Sequence, residues 1–211
     1  SLNQKMQQNG FFHKTLWLLL ASVAMGLGIW SMHFIGMSAF MLPTEMQYDI
    51  SWTLFSILPA ILASYIAFYI ANRPNKTHWP YLIAGIVMGA GISSMHYIGM
   101  AAMIMDVQYY YKPWIFSASI AIAVIVSYVA LYIFSTLQKY MGNRLVKLST
   151  SVLMGLAITS MHYTGMYAVV FYSEEDPLNN HSAHLHTMDM TFQVVVVTVG
   201  IAVLFLLTGL A

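Results

Sequence analysis

Long apolar runs, each close to the length of a membrane span, alternate along this chain with short polar stretches. Six runs stand out: Thr15 to Phe40, Ser51 to Ala71, Trp79 to Met105, Trp114 to Gln138, Leu145 to Tyr172 and Met190 to Ala211. About twenty consecutive apolar residues are what an α-helix needs to cross the hydrocarbon of a bilayer. A backbone facing lipid must satisfy its own hydrogen bonds, and a helix does so within one segment. No run shows the strict alternation of a membrane barrel strand. The pattern predicts an all-α fold, a polytopic membrane bundle of six transmembrane helices.

A thirteen-residue phrase recurs within these runs. It reads Met25-Gly-Leu-Gly-Ile-Trp-Ser-Met32-His33-Phe34-Ile35-Gly36-Met37, then Met88-Gly-Ala-Gly-Ile-Ser-Ser-Met95-His96-Tyr97-Ile98-Gly99-Met100, then Met154-Gly-Leu-Ala-Ile-Thr-Ser-Met161-His162-Tyr163-Thr164-Gly165-Met166. The histidines lie 63 and then 66 residues apart, enough chain for a pair of membrane helices per copy. The return helices repeat as well: Ala63-Ser64-Tyr65-Ile66-Ala67 becomes Val126-Ser127-Tyr128-Val129-Ala130, whereas the sixth run has no Ser-Tyr counterpart. A fixed period of this kind signals a repeated structural unit. Residues 1–211 therefore read as one domain of three helical hairpins with pseudo-threefold character, the repeats covering about 11–72, 79–138 and 145–211.

Composition agrees with a lipid-facing chain. Charged residues make up 7% and the mean hydropathy is +0.70, whereas soluble domains carry about a quarter charged residues. Basic residues give the orientation. Lys5, Lys14, Arg73, Lys76, Lys139, Arg144 and Lys147 fall on one side, which the positive-inside rule makes cytoplasmic. Glu45, Asp49, Asp106, Glu174, Glu175, Asp176 and Asp189 fall on the other, with only Lys112 among them. Both ends are then expected inside, and the three histidines share one depth in the outer half of the bilayer. No nucleic-acid partner is expected. The apolar and aromatic outer faces suit lipid and permit a homodimer.

The absence of cysteine excludes thiolate ligands, but seventeen methionines supply soft thioethers. On a helix His33 and Met37 share a face, as do His96 with Met100 and His162 with Met166. Met32, Met95 and Met161 lie beside the histidines, and Met25, Met88 and Met154 lie two turns deeper, where they offer relay positions. Imidazole with thioether best suits copper, Cu(I) above all; three histidines also suit zinc, and haem leaves the threefold repetition without a reason. Because each repeat owns a His/Met pair, more than one ion per chain is the expectation. The competing reading is a hydrogen-bonded core, yet a buried ionisable group in a membrane is costly and three at one depth call for a role. Ser31, Ser94 and Ser160 read as helix-to-helix or outer-sphere hydrogen-bond partners, and Trp30, Tyr97 and Tyr163 equally as interfacial anchors. The glycines read as small contacts for close helix approach. His181, His184 and His186 in the last outer loop read equally as a site of metal capture or as solvated surface.

The phrase Ser160-Met161-His162-Tyr163-Thr164-Gly165-Met166 resembles the signature of the MHYT-domain family of bacterial integral-membrane sensors, and the other two copies look like its variants. The resemblance implies a multi-pass sensory domain of the bacterial cytoplasmic (inner) membrane, with copper at the Met-His motifs and O2, CO, NO or copper itself as the signal. It implies signal transduction to a cytoplasmic output domain, commonly one that makes or degrades cyclic di-GMP. It also implies an additional first helix, so the chain reads as a fragment without that helix and without a catalytic domain of its own. The family's Tyr is carried by Tyr97 and Tyr163 but replaced by Phe34, and its Thr appears only as Thr164. Rival readings are a copper transporter or permease working through Met25, Met88 and Met154, and a structural membrane scaffold.

Overall fold

The computed structural model describes residues 11–39, 47–73, 77–105, 108–137, 144–172 and 187–189. Apolar runs become helices where predicted: α1 Phe11–Ser38, then α2 Ile50–Phe55 and α3 Ile57–Ala71, α4 His78–Ala101, α5 Pro113–Leu137 and α6 Arg144–Tyr167. Four of these stretches, Lys14–Ser38, Ile50–Ala71, His78–Ala101 and Pro113–Thr136, are long and apolar enough to cross a membrane. α6 begins on Arg144 and Lys147, with Ser149, Thr150 and Ser151 following, and its first turns are accordingly more polar. The expected sixth span, 190–211, lies outside the described residues. Large apolar side chains such as Leu62, Ile83, Ile125 and Leu156 are about half exposed or more, a surface suited to lipid rather than water.

Three predicted spans run past the helix ends. The third stops at Ala101 rather than Met105, the fifth at Tyr167 rather than Tyr172, and the first at Ser38 rather than Phe40. Short strands follow instead: β1 Gln47–Asp49, β2 Met103–Ile104, β3 Gln108–Tyr111, β4 Val169–Tyr172 and β5 Thr187–Asp189. β1 lies between β2 and β5, with Tyr48 opposite both Met103 and Met188, and β3 pairs antiparallel with β4. Their aromatic and β-branched residues favour extended pairing once the chain leaves the helix. Read by hydropathy alone, the same residues look like more of the span.

The second span is broken at Ser56. Pro59 has no N–H to donate to the carbonyl four residues back, so the ladder opens there. Ser56 Oγ donates to the Thr53 carbonyl at 2.6 Å, and the Trp30 indole N–H lies 3.1 Å from both that carbonyl and Ser56 Oγ. Trp30 is thus a buried hydrogen-bond donor that closes the break rather than an interfacial anchor. Trp30→Phe is expected to destabilise the protein by about 1–2 kcal/mol, the value of a lost buried hydrogen bond. Thermal unfolding in detergent checks it, with the half-exposed Trp52→Phe as the near-neutral control.

Helices α1 and α3, α3 and α4, α4 and α5, and α5 and α6 pack as sequence neighbours, while α1, α4 and α6 also meet one another. Glycine and alanine set the neighbour contacts. A methyl on Gly26 would lie 2.8 Å from the Ile61 backbone, and one on Gly89 would lie 2.6 Å from the Val124 backbone. Both pairs are 35 residues apart, so the first two copies repeat in space as they do in sequence. The Ser-Tyr phrase turns its small residues inward: Ala63, Ser64 and Ala67 are buried in α3, Ser127 and Ala130 in α5. Gly28 and Gly155 have open space and make no such contact.

Candidate metal centre

Each phrase places its histidine five residues before the end of its helix: His33 before Ser38, His96 before Ala101 and His162 before Tyr167. The meeting of α1, α4 and α6 therefore brings three imidazoles to one point. All three are buried, exposed by 1% or less. The Nδ1 atoms of His33 and His162 are 3.2 Å apart, those of His96 and His33 are 3.1 Å apart, and candidate ligand atoms from all three histidines fall within 4.8 Å of one another. The rings stand nearly perpendicular in every pair, with centroids 4.9 to 5.2 Å apart.

Protons alone serve this arrangement poorly. A neutral ring nitrogen has one in-plane position, occupied by either a hydrogen or a lone pair, so the Nδ1 of His33 cannot be fully bonded to both neighbours. A cation held by His33, His96 and His162 would instead accept a lone pair from each ring. A metal–nitrogen distance of about 2.0 Å in tetrahedral geometry puts ligand nitrogens about 3.3 Å apart, close to the edges seen here. The three Nε2 atoms point away, buried and without a hydrogen-bond partner.

Around the rings the motif repeats. The next residue lies edge-on to each histidine: Phe34 at 4.8 Å from His33, Tyr97 at 4.8 Å from His96 and Tyr163 at 5.4 Å from His162. The hydroxyls are engaged elsewhere or exposed, since Tyr97 OH lies 2.6 Å from Ser119 Oγ and Tyr163 is 61% exposed. The aromatic ring is the shared element, which accounts for Phe34 in the first copy. Thr164 donates to its own helix at Ser160, so Ile35 and Ile98 lose no contact to the centre by lacking a hydroxyl. Phe34 in turn packs against Trp30 and against Tyr48, a residue the sequence reading passed over. Tyr48 is 1% exposed, its hydroxyl is unpartnered, and burial raises its phenol above the ordinary value.

Among the predicted sulfurs, Met37, Met88, Met95, Met100, Met161 and Met166 are buried, and Met25, Met32 and Met154 are half-buried. Met88 takes the Ser64 hydroxyl at 3.7 Å, and Met154 lines a small cavity with Met161 and Ser127. The serine expectation needs correction. Ser94 and Ser160 face outward, Ser160 bonding back to Leu156, because two residues before the histidine lies about 200° around the helix from it. Ser31 is buried, and among the described serines the buried hydroxyl without a partner is that of Ser93. The motif glycines also differ from the reading as helix-to-helix contacts. Gly36, Gly99 and Gly165 each face an imidazole from another repeat. Their signal was the His-x-x-Gly spacing common to all three copies. His181, His184 and His186 lie outside the described residues.

The family profile described as a bacterial signalling protein N-terminal repeat, MHYT, matches residues 26–84, 89–146 and 155–211. The chain is 38% identical to the signalling protein YkoW of Bacillus subtilis, over 85% of this chain and 23% of that protein. It is 43% identical to the bifunctional diguanylate cyclase/cyclic di-GMP phosphodiesterase MucR of Pseudomonas aeruginosa, over 74% of this chain and 23% of that one. It is 39% identical to the cyclic di-GMP phosphodiesterase NbdA of the same organism, over 77% and 21%. The chain thus spans less than a quarter of the length of these curated relatives. No solved structure matches it significantly.

Proposed function

The chain belongs to the MHYT family of bacterial signalling proteins, and from that premise we propose that it is a sensory domain of the inner membrane built around one copper ion held by His33, His96 and His162. The observation that carries this reading is the convergence of three buried histidines, one from each repeat, with the His33 Nδ1 3.1 Å from that of His96 and 3.2 Å from that of His162. Three imidazoles at a single point favour one shared ion over the separate ions that the individual His/Met pairs suggested. The donor set fits: three imidazole nitrogens on helices that also bury several methionines, without a carboxylate among the described residues of the cluster, suit a soft monovalent ion better than a hard one.

Met37, Met100 and Met166, four residues after each histidine, are the thioethers we assign to the same ion, with Met32, Met95 and Met161 beside them. Copper supplies a centre that responds to small molecules such as O2, CO or NO, or to its own supply. The chain supplies the rest. Phe34, Tyr97 and Tyr163 pack against the imidazoles and orient them, and the buried methionines exclude water. Because each histidine is fixed to a different helix, a change in the centre moves α1, α4 and α6 relative to one another. In the orientation expected from the basic residues, that movement is passed to an output domain on the cytoplasmic side, and two relatives named for cyclic di-GMP turnover suggest its chemistry.

Elemental analysis of the purified chain tests the reading. About one copper per chain is expected, and none in the triple variant His33→Ala/His96→Ala/His162→Ala. Copper retained by that variant rejects these ligands, and zinc in place of copper rejects the choice of metal.

A further inference from the structure

We propose that Gly36, Gly99 and Gly165 are positioning residues: each seats an imidazole from another repeat, and together they set the width of the centre. The proposal rests on the metal reading above only for what the centre holds. A methyl built on Gly99 would lie 2.5 Å from His33 Nε2 and 2.8 Å from its Cδ2. On Gly165 it would lie 2.5 Å from His96 Nε2 and 3.0 Å from Cδ2, and on Gly36 it would meet His162 in the same way, 2.8 Å from Cδ2. The order is cyclic. The first repeat's histidine rests on the second repeat's glycine, the second's on the third's, and the third's on the first's.

Backbone freedom does not explain these glycines, since no described glycine has positive φ. Helix crossing does not explain them either. Gly26, Gly85 and Gly89 approach the backbone of a neighbouring helix, whereas these three meet an imidazole. A second observation marks the same spots: the Nε2 of each histidine is buried and unpartnered, and it is the ring atom nearest the glycine. Carbon contacts settle at about 3.5 Å or more, so an added methyl moves a ring by about 1 Å. The opposite side of that ring already lies 3.1 to 3.2 Å from its partners. A shift of that size exceeds the few tenths of an ångström that a metal–nitrogen bond tolerates.

The test is a double-mutant cycle on the full chain in detergent, read by thermal midpoint and by binding of Co(II), a spectroscopic probe of coordination geometry. Gly99→Ala alone is expected to lower the midpoint by about 5 °C or more, to weaken Co(II) binding at least tenfold and to alter its visible spectrum. Combined with His33→Ala, which empties the seat, Gly99→Ala should cost almost nothing further. Combined with His96→Ala, which leaves that seat filled but frees one side of the His33 ring, it should still cost clearly more than beside His33→Ala. Gly28→Ala, facing open space, is the control expected to leave both readouts unchanged. If Gly99→Ala does not fold, recovery of folding in the Gly99→Ala/His33→Ala double variant carries the same information. Equal losses in both histidine backgrounds, or an unchanged Co(II) spectrum in Gly99→Ala beside a spectrum that responds to His33→Ala, overturn the proposal. Pair-specific coupling in a wild-type chain that binds neither Co(II) nor copper keeps the seats and removes the metal reading instead.

Discussion

Replacing Met37, Met100 and Met166 together with leucine is expected to weaken Cu(I) binding about a hundredfold or more, about 2.7 kcal/mol, while zinc binding changes by less than about tenfold. Each of the three follows a centre histidine by one helical turn, and each is buried, exposed by 0% for Met37 and Met100 and by 9% for Met166. Methionine to leucine conserves volume, and such swaps in a packed interior usually cost less than about 1.5 kcal/mol. A large loss of Cu(I) affinity with the fold retained therefore reports the thioether and not the packing. Competition titrations against a Cu(I) chelator, and separately with zinc, measure the two affinities. If Cu(I) affinity is untouched, the sulfurs are filler and the ion is bound by nitrogen alone. A parallel loss of both metals points to a change in the shape of the site rather than in its ligands.

A second large effect is expected in stability. Gly89→Leu should destabilise the protein by about 3 kcal/mol or more, the upper range for overpacking. The first carbon of the new side chain would already lie 2.6 Å from both N and Cα of Val124, so it meets backbone that has no rotamer to escape into. The rest of the leucine then forces α4 and α5 apart along a packed interface. Gly28→Leu, on the same phrase one copy earlier but facing open space, should be close to neutral. Unfolding in graded denaturing detergent, followed by circular dichroism, compares the two. Equal stability of Gly89→Leu and wild type would falsify the close helix crossing.

The pattern of apolar runs and the threefold phrase made much of the site legible beforehand. A histidine at one fixed place in three repeated helices suggests a common level, and candidate ligand atoms of the three lie within 4.8 Å of one another. Helix ends were harder to read. Val169 to Tyr172 is as apolar as the helix before it, and only its pairing with Gln108 to Tyr111, distant in sequence, makes it a strand. Trp30 looks like an anchor by type, and its indole partner, the broken turn at Ser56, lies 26 residues away. Ser94 and Ser160 show why proximity in sequence misleads, since two positions before a buried histidine is the far side of a helix, and only in the first copy, at Ser31, is that side covered as well. The seats for the imidazoles were hidden for another reason. A glycine in a membrane helix usually marks a neighbouring backbone, and which atom fills the gap is a property of the assembled bundle.

The small sheet that joins the ends of the hairpins has a mechanical consequence. β1 is hydrogen-bonded on both sides, to β2 from the second repeat and β5 from the third, and the Asp49 N–H donates to the Ala102 carbonyl at 2.8 Å, so the end of α4 nearest His96 is tied into the sheet. A rod restrained at one end pivots there. In α4 His96 is five residues from Ala101, about 7.5 Å, while His78 is twenty-three residues from it, about 35 Å. A sideways push of half an ångström beside the pivot thus becomes a swing of about 2.3 Å at the opposite tip. That leverage turns a very small displacement beside His96 into a several-fold larger one at the opposite end of the helix.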